Sequence, residues 1–167
     1  MLQDSLGILL GFFVAVTLQV LLFDHINLFG FSYPSVYLFF IISYRFDRSQ
    51  FFLILLGFLL GFVLDIMQSS SGANTIATLL ISFIRPWVIR FSFGIIPDSN
   101  SLLSMKSRIG NQALYIGLMI LIHQFVLQSV AYFDVAHTTL ILRNTLVNTA
   151  LTFILLLATL NLTKKKN

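Results

Sequence analysis

The sequence predicts an all-α integral membrane protein of six transmembrane helices. Composition, continuity of the apolar runs and the placement of basic residues carry this reading. Of 167 residues, 57% are hydrophobic and only 10% are charged, and mean hydropathy is +0.94. Soluble domains carry about a quarter charged residues, so this chain lacks the material for a water-facing surface. In hydrocarbon every backbone polar group must be satisfied within the protein, which leaves helices or a closed barrel. Barrel strands alternate apolar and polar residues. Here the apolar runs are long and unbroken, so helices are expected.

The first span covers residues 6–23 and is uncharged, with Thr17 and Gln19 as its polar interruptions. No Lys or Arg precedes it, it is long for a signal-peptide core, and no small-x-small cleavage site follows, so it reads as a retained helix. Gly7 and Gly11 form a small-xxx-small pair, either a close-packing face or incidental glycines in a lipid-facing helix. The second span, 30–44, is short and rich in aromatics, with Pro34 suited to a first helical turn. It reaches a crossing length only if residues 28–31 enter the membrane.

The third span is 51–67, a stretch with two glycines one turn apart, Gly57 and Gly61, and a lone carboxylate, Asp65, near its end. An uncharged turn holding Ser69, Ser70, Ser71 and Gly72 leads into the fourth span, 73–89, which begins at Ala73 and Asn74. Pro86 lacks a backbone donor and disfavours helix at Arg85, so this helix is expected to kink or end there. Residues 91–111 form the longest connection, with a short surface helix expected over 101–109. The fifth span is 112–133 and the sixth is 138–160.

Basic residues set the orientation. Arg45 and Arg48 follow span two, Arg85, Arg90, Lys106 and Arg108 follow span four, and Lys164, Lys165 and Lys166 follow span six. The turns after spans one, three and five carry no Lys or Arg. Under the positive-inside rule both termini lie in the cytoplasm, and only Arg143 falls outside the pattern. The net charge of +4 therefore reads as membrane topology. No basic patch is interleaved with aromatics, so nucleic acid is not an expected partner.

Intramembrane ionisable groups are costly and mark structural or functional pivots. Asp65 and Arg143 lie at similar depth. Either they pair, or Asp65 holds the turn at 69–74 while Arg143 reaches the surface along its aliphatic stem. Span five carries Gln124 and Gln128 on one face, and span six carries Asn144, Asn148 and Thr152. These stripes read as hydrogen bonds between helices, or as the lining of a ligand cavity. His123 has no second histidine at helical spacing, so it does not read as a metal ligand. The chain has no cysteine, no nucleophile elbow and no phosphate-cradling glycine loop. No enzymatic activity and no cofactor are expected.

The run Gly-Phe-Leu-Leu-Gly-Phe-Val-Leu-Asp at 57–65, the Ser/Gly turn after it and the helix beginning near Asn74 resemble the rod shape-determining MreD family. Pro34-Ser35 opening an aromatic second span is similar to that family's second helix, with Ser35 in place of a common acid. The resemblance extends over the chain in length and span layout. It implies a non-enzymatic scaffold of the bacterial cytoplasmic (inner) membrane, needed for cell shape and lateral peptidoglycan synthesis. Its implied partners are an MreC-like bitopic membrane protein, MreB filaments, RodA with its penicillin-binding partner, and membrane lipid. It also implies a fold similar to the substrate-binding subunits of energy-coupling-factor transporters, so a vitamin-binding transporter subunit is the alternative. Gly57, Gly61, Asp65, Gly72, Asn74 and Arg143 are the candidate structural or partner-packing residues.

Overall fold

The computed structural model describes residues 2–25, 33–45, 49–94, 108–133 and 135–164. Six α-helices make up the described chain: α1 (Leu2–Leu21), α2 (Leu38–Ser43), α3 (Gln50–Gln68), α4 (Ala73–Phe93), α5 (Ile109–Tyr132) and α6 (Thr138–Lys164). Short 3-10 turns, Phe23–His25 and Val135–His137, follow α1 and precede α6. Four helices, α3 to α6, are long and apolar enough to cross a membrane, and α1 contributes a shorter apolar stretch. The chain is a helical membrane protein.

Consecutive helices from α3 to α6 pack side by side, α1 lies against α2 and α3, and α2 touches α5. An apolar core that includes Leu38, Ile41, Leu60, Ile81, Ile116 and Met119 is joined by buried polar residues, and the outer surface is apolar as well. Phe13, Phe51, Phe62, Ile66, Trp87 and Ile154 face outward, whereas Gln19, Asn74, Arg85, His123, Gln124 and Asn148 are buried. Lipid accepts an apolar rim, and many of the buried polar groups find partners inside the protein.

The α3–α4 seam is built on the two glycines. A Cβ at Gly57 would meet the Ser82 hydroxyl, with Ser82 Cβ at 3.0 Å. A Cβ at Gly61 would meet the Thr78 hydroxyl and the α4 backbone itself, Thr75 Cα at 2.5 Å and the Asn74 carbonyl at 2.7 Å. The close approach these glycines permit is therefore filled by a helix of the same chain.

Two elements differ from expectation. The second span is not a helix from its start: α2 has only six residues, and the described residues ahead of it, 33–37, are extended or turn-like. Pro34 does not open a helix there because this backbone finds its partners in side chains of other helices, as described below. The entry of residues 28–31 and the charges at Asp47 and Arg48 lie outside the described residues, as does the expected surface helix except for its last two positions. Of those, Ile109 begins α5.

Nor does α4 end at Pro86; it continues to Phe93. Proline removes the N–H that would have bonded the Ser82 carbonyl. Gln50, in the first turn of α3, supplies the missing donor: its Nε2 donates to Ser82 O at 2.6 Å. Arg85, counted among the surface charges by sequence, is 1% exposed. Its Nε donates to the Tyr115 hydroxyl at 2.9 Å and its Nη2 to the carbonyls of Ile42 and Tyr44. The guanidinium thus sits on the C-terminal carbonyls of α2, where the helix dipole is negative.

Candidate functional site

Asp65 lies in the last turn of α3, and the chain reverses direction just beyond it. Ser69 and Ser71 adopt left-handed backbone angles (φ 54° and 53°), as does Gly72 (φ 91°). The amides of Ser69 and Ser70 close on the Asp65 carbonyl. Gly72 stands at the N-cap of α4 with no side chain to offer. The Asp65 carboxylate does that work from the preceding helix. Its Oδ1 accepts the Asn74 N–H at 2.9 Å, and its Oδ2 accepts the Thr75 N–H at 2.8 Å. The hydroxyls of Ser70 and Thr75 donate to it as well, each at 2.5 Å. A carboxylate on the free amides of a helix N-terminus gains both capping bonds and a favourable dipole.

Of the two readings open for Asp65, the structure thus contains the turn-holding one. Arg143 is exposed on α6 and donates to its neighbour Asn144 Oδ1 at 3.2 Å; the Asp65–Arg143 pair is not formed.

The non-helical backbone at 33–37 is held by side chains from three helices. Gln19 of α1 accepts from the Val36 N–H at 2.9 Å and the Tyr37 N–H at 3.4 Å. Its Nε2 donates to the Pro34 carbonyl at 3.1 Å. From α6, Asn148 Oδ1 accepts the Tyr33 N–H at 3.2 Å and the Thr152 hydroxyl accepts the Ser35 N–H at 3.1 Å. From α5, Gln124 donates to the Ser35 hydroxyl at 3.0 Å. Irregular backbone has no helical ladder to pair its N–H and C=O groups, so when buried it needs such side-chain partners. The polar stripes of α5 and α6 therefore serve chiefly this wedge of chain. Asn144, farther along α6, does reach across to α5, donating to the Tyr132 hydroxyl at 2.9 Å.

Tyr37 joins the wedge to the Asp65 turn. Its hydroxyl donates to Asn74 Oδ1 at 2.9 Å, while Asn74 Nδ2 donates to Gln68 Oε1 and to Ser70 Oγ. With that donor committed, the 3.1 Å contact of Tyr37 with His123 Nε2 has the histidine as donor. This assigns the Nε2–H tautomer from the network and leaves Nδ1 buried without a partner.

A polar cleft of about 570 Å³ opens beside this network, where α1 and α3 end and α4 begins. Gln19, Asp24, Tyr33, Gln68, Asn74 and Gln128 are among its walls. Asp24, in the 3-10 turn after α1, accepts from Gln19 Nε2 at 2.8 Å and from Gln68 Nε2 at 2.9 Å on both carboxylate oxygens. The volume lies within the range of small-molecule sites. Among the described residues no group of three His, Asp, Glu or Cys is placed to hold a metal.

The six sequence-nominated residues divide by location. Gly57, Gly61, Asp65, Gly72 and Asn74 build the α3–α4 junction, and Asn74 also lines the cleft. Arg143 stands apart from the cleft's described walls. Sequence reasoning named Gln19 only as a polar interruption of the first span and gave no role to Asp24, Tyr37 or Gln68. A glutamine late in an otherwise apolar span was the available signal for Gln19, since a buried amide demands partners. Compared with family models, curated proteins and solved structures, the chain matches none.

Proposed function

We propose that this chain is a non-enzymatic, six-span scaffold of the bacterial cell-elongation machinery, acting in cell shape and lateral peptidoglycan synthesis by binding an MreC-like bitopic partner. Both termini face the cytoplasm, the wedge at 33–37 together with α2 makes the second crossing, and the cleft opens on the outer side. The resemblance at 57–74 motivates the reading. The observation that supports it best is an apolar groove of about 640 Å³ along α1, bounded by α2 and touching Thr159 of α6. Gly7, Gly11 and Ala15 stand one helical turn apart in its wall, opposite Phe39 and Phe40. A Cβ at Gly7 would meet nothing within 4 Å, and one at Gly11 only the Phe40 ring at 3.6 Å. Gly57 and Gly61 are already covered by α4; this small-residue stripe is open. The stripe covers about 12 Å of helix and the groove as a whole, from Gly7 to Leu22, about 22 Å, enough for a partner's transmembrane helix to lie along it.

The test is depletion in a rod-shaped host together with detergent co-purification. Cells round up, the MreC-like protein is recovered, and Gly11→Leu loses that recovery while Gly110→Ala keeps it. Normal shape together with no recovered partner sinks the reading.

The polar cleft favours a second reading, a small-molecule-binding membrane subunit of an energy-coupling-factor transporter. Its mark is a vitamin retained through purification and association with an ATPase module in place of an MreC-like protein.

A further inference from the structure

We infer that the polar cleft is a binding site for a small organic cation, an ammonium- or amidinium-bearing solute, with Asp24 as its counter-charge. The inference deepens the second reading by naming the ligand's chemistry. It rests on the cleft being a solute site, and it holds equally if the protein is a scaffold that senses such a solute.

The charge balance of the walls is the starting point. Asp24 is the only ionisable acid or base among the described lining residues apart from two tyrosines. Among the described lining residues there is no Lys or Arg. Asp24 is half-buried, and its partners are the amides of Gln19 and Gln68. Amides orient a carboxylate without neutralising it. A carboxylate offers about four acceptor positions, and three are taken. A half-buried, oriented, uncompensated negative charge attracts a cation and repels a carboxylate or phosphate.

The remaining walls suit the same ligand. Tyr33, 46% exposed, lines the cleft, and an aromatic face near a carboxylate is a recurrent way to hold ammonium groups. Gln128 projects from α5 into the lining and has no hydrogen-bond partner among the described residues. Gln19, Gln68, Asn74 and Asn148 are tied into the protein, so the cleft is preformed rather than assembled by the ligand. Preorganisation lowers the entropic cost of binding.

The experiment uses the full chain in lipid nanodiscs, with putrescine, choline and benzamidine as cationic probes against glutarate and glycerol. Binding is read by titration calorimetry and by melting temperature. A saturable signal is expected from at least one cation and from neither control. Asp24→Asn keeps the side-chain shape and removes the charge; it weakens the cation about tenfold or more, as loss of a charge-assisted contact does. Gln128→Glu disturbs no described hydrogen bond and adds a second carboxylate, so it tightens cation binding, which keeps the proposal testable even if the Asp24 variant misfolds. Preference for glutarate or glycerol, absence of binding by all three cations, or indifference to both substitutions each overturns it. Recovery of the MreC-like partner is a separate readout, so failure here and failure of the scaffold reading are distinguishable.

Discussion

Asp65 and Asn74 meet across the α3–α4 turn: the carboxylate of one accepts the backbone N–H of the other at 2.9 Å. The side chain of that same asparagine accepts from the Tyr37 hydroxyl. One residue thereby couples the cap of α4 to the wedge that leads into α2. The α3–α4 junction and the wall of the cleft are in this way one mechanical unit.

Removing the cap shows first in stability. Asp65→Ala should cost about 2 kcal/mol, the upper end for a helix N-cap, because two amides and two hydroxyls lose their acceptor. Asp65→Asn keeps part of the acceptor and should cost about half as much. Arg143→Gln leaves every partner of Asp65 in place and should cost less than Asp65→Ala. Melting in detergent checks the order. The swap Asp65→Arg/Arg143→Asp should melt no higher than Asp65→Arg alone, and a rescue would mean that the two charges do meet.

The glycines should rank by what a methyl group would strike. Gly61→Ala drives Cβ into the α4 backbone and should cost about 1–3 kcal/mol, the usual range for overpacking. Gly57→Ala meets the Ser82 hydroxyl, which can turn away, and then Ser82 Cβ at 3.0 Å and the Thr78 carbonyl at 3.2 Å, both looser than the backbone contacts at Gly61, and should cost less. At Gly7 there is space, and alanine should be neutral. Gly61→Leu should lower the folded yield far more than Leu59→Ala, because Leu59 is 40% exposed. Equal yields of those two variants would remove the packing argument.

Gln19 is predicted to be among the least replaceable polar residues of α1. Gln19→Leu strands the N–H groups of Val36 and Tyr37 and the Pro34 carbonyl, at about 1–3 kcal/mol for each buried group left unpaired. Gln19→Glu keeps the acceptor and should fall between leucine and wild type. Hydrogen exchange at Val36 and Tyr37 should accelerate in the leucine variant and much less in the glutamate variant.

Gln50 and Pro86 should be energetically coupled. Beside Pro86, Gln50→Leu leaves the Ser82 carbonyl unsatisfied and should cost about 1 kcal/mol. Beside Pro86→Ala the alanine N–H can take that carbonyl, so the same substitution should cost little. A double-mutant cycle measures the difference. An equal cost in both backgrounds would show that Gln50 does not compensate for the proline.

How much was legible in advance depends on the range of each interaction. The long apolar helices α3, α5 and α6 were placed within a few residues of their positions, because lipid demands continuous apolar runs and such runs are local. The role of Asp65 was foreseen as one of two options, since its partners lie only 9 and 10 positions ahead. The failures share a cause. Of the two outcomes expected at Pro86, a kink or an end, the helix does not end, because the donor that replaces the proline's N–H comes from Gln50, 32 positions from Ser82. Arg85 looked like a surface charge because the α2 carbonyls that bury it are more than 40 positions away.

The chain by itself determined that it is helical, that its exterior is apolar and that its polar residues are too few and too scattered for a water-facing surface. Those properties follow from composition and periodicity, which act within a turn or two of helix. Only the tertiary structure decided where those polar groups go. The Tyr33 amide finds Asn148 at 115 positions' remove, and Ser35 finds Thr152 at 117. A buried polar group in a membrane must find a partner wherever the fold brings one. That requirement, invisible in any local window, gave residues 33–37 a non-helical backbone and left beside it a cleft with Asp24 as the sole carboxylate among its described lining residues.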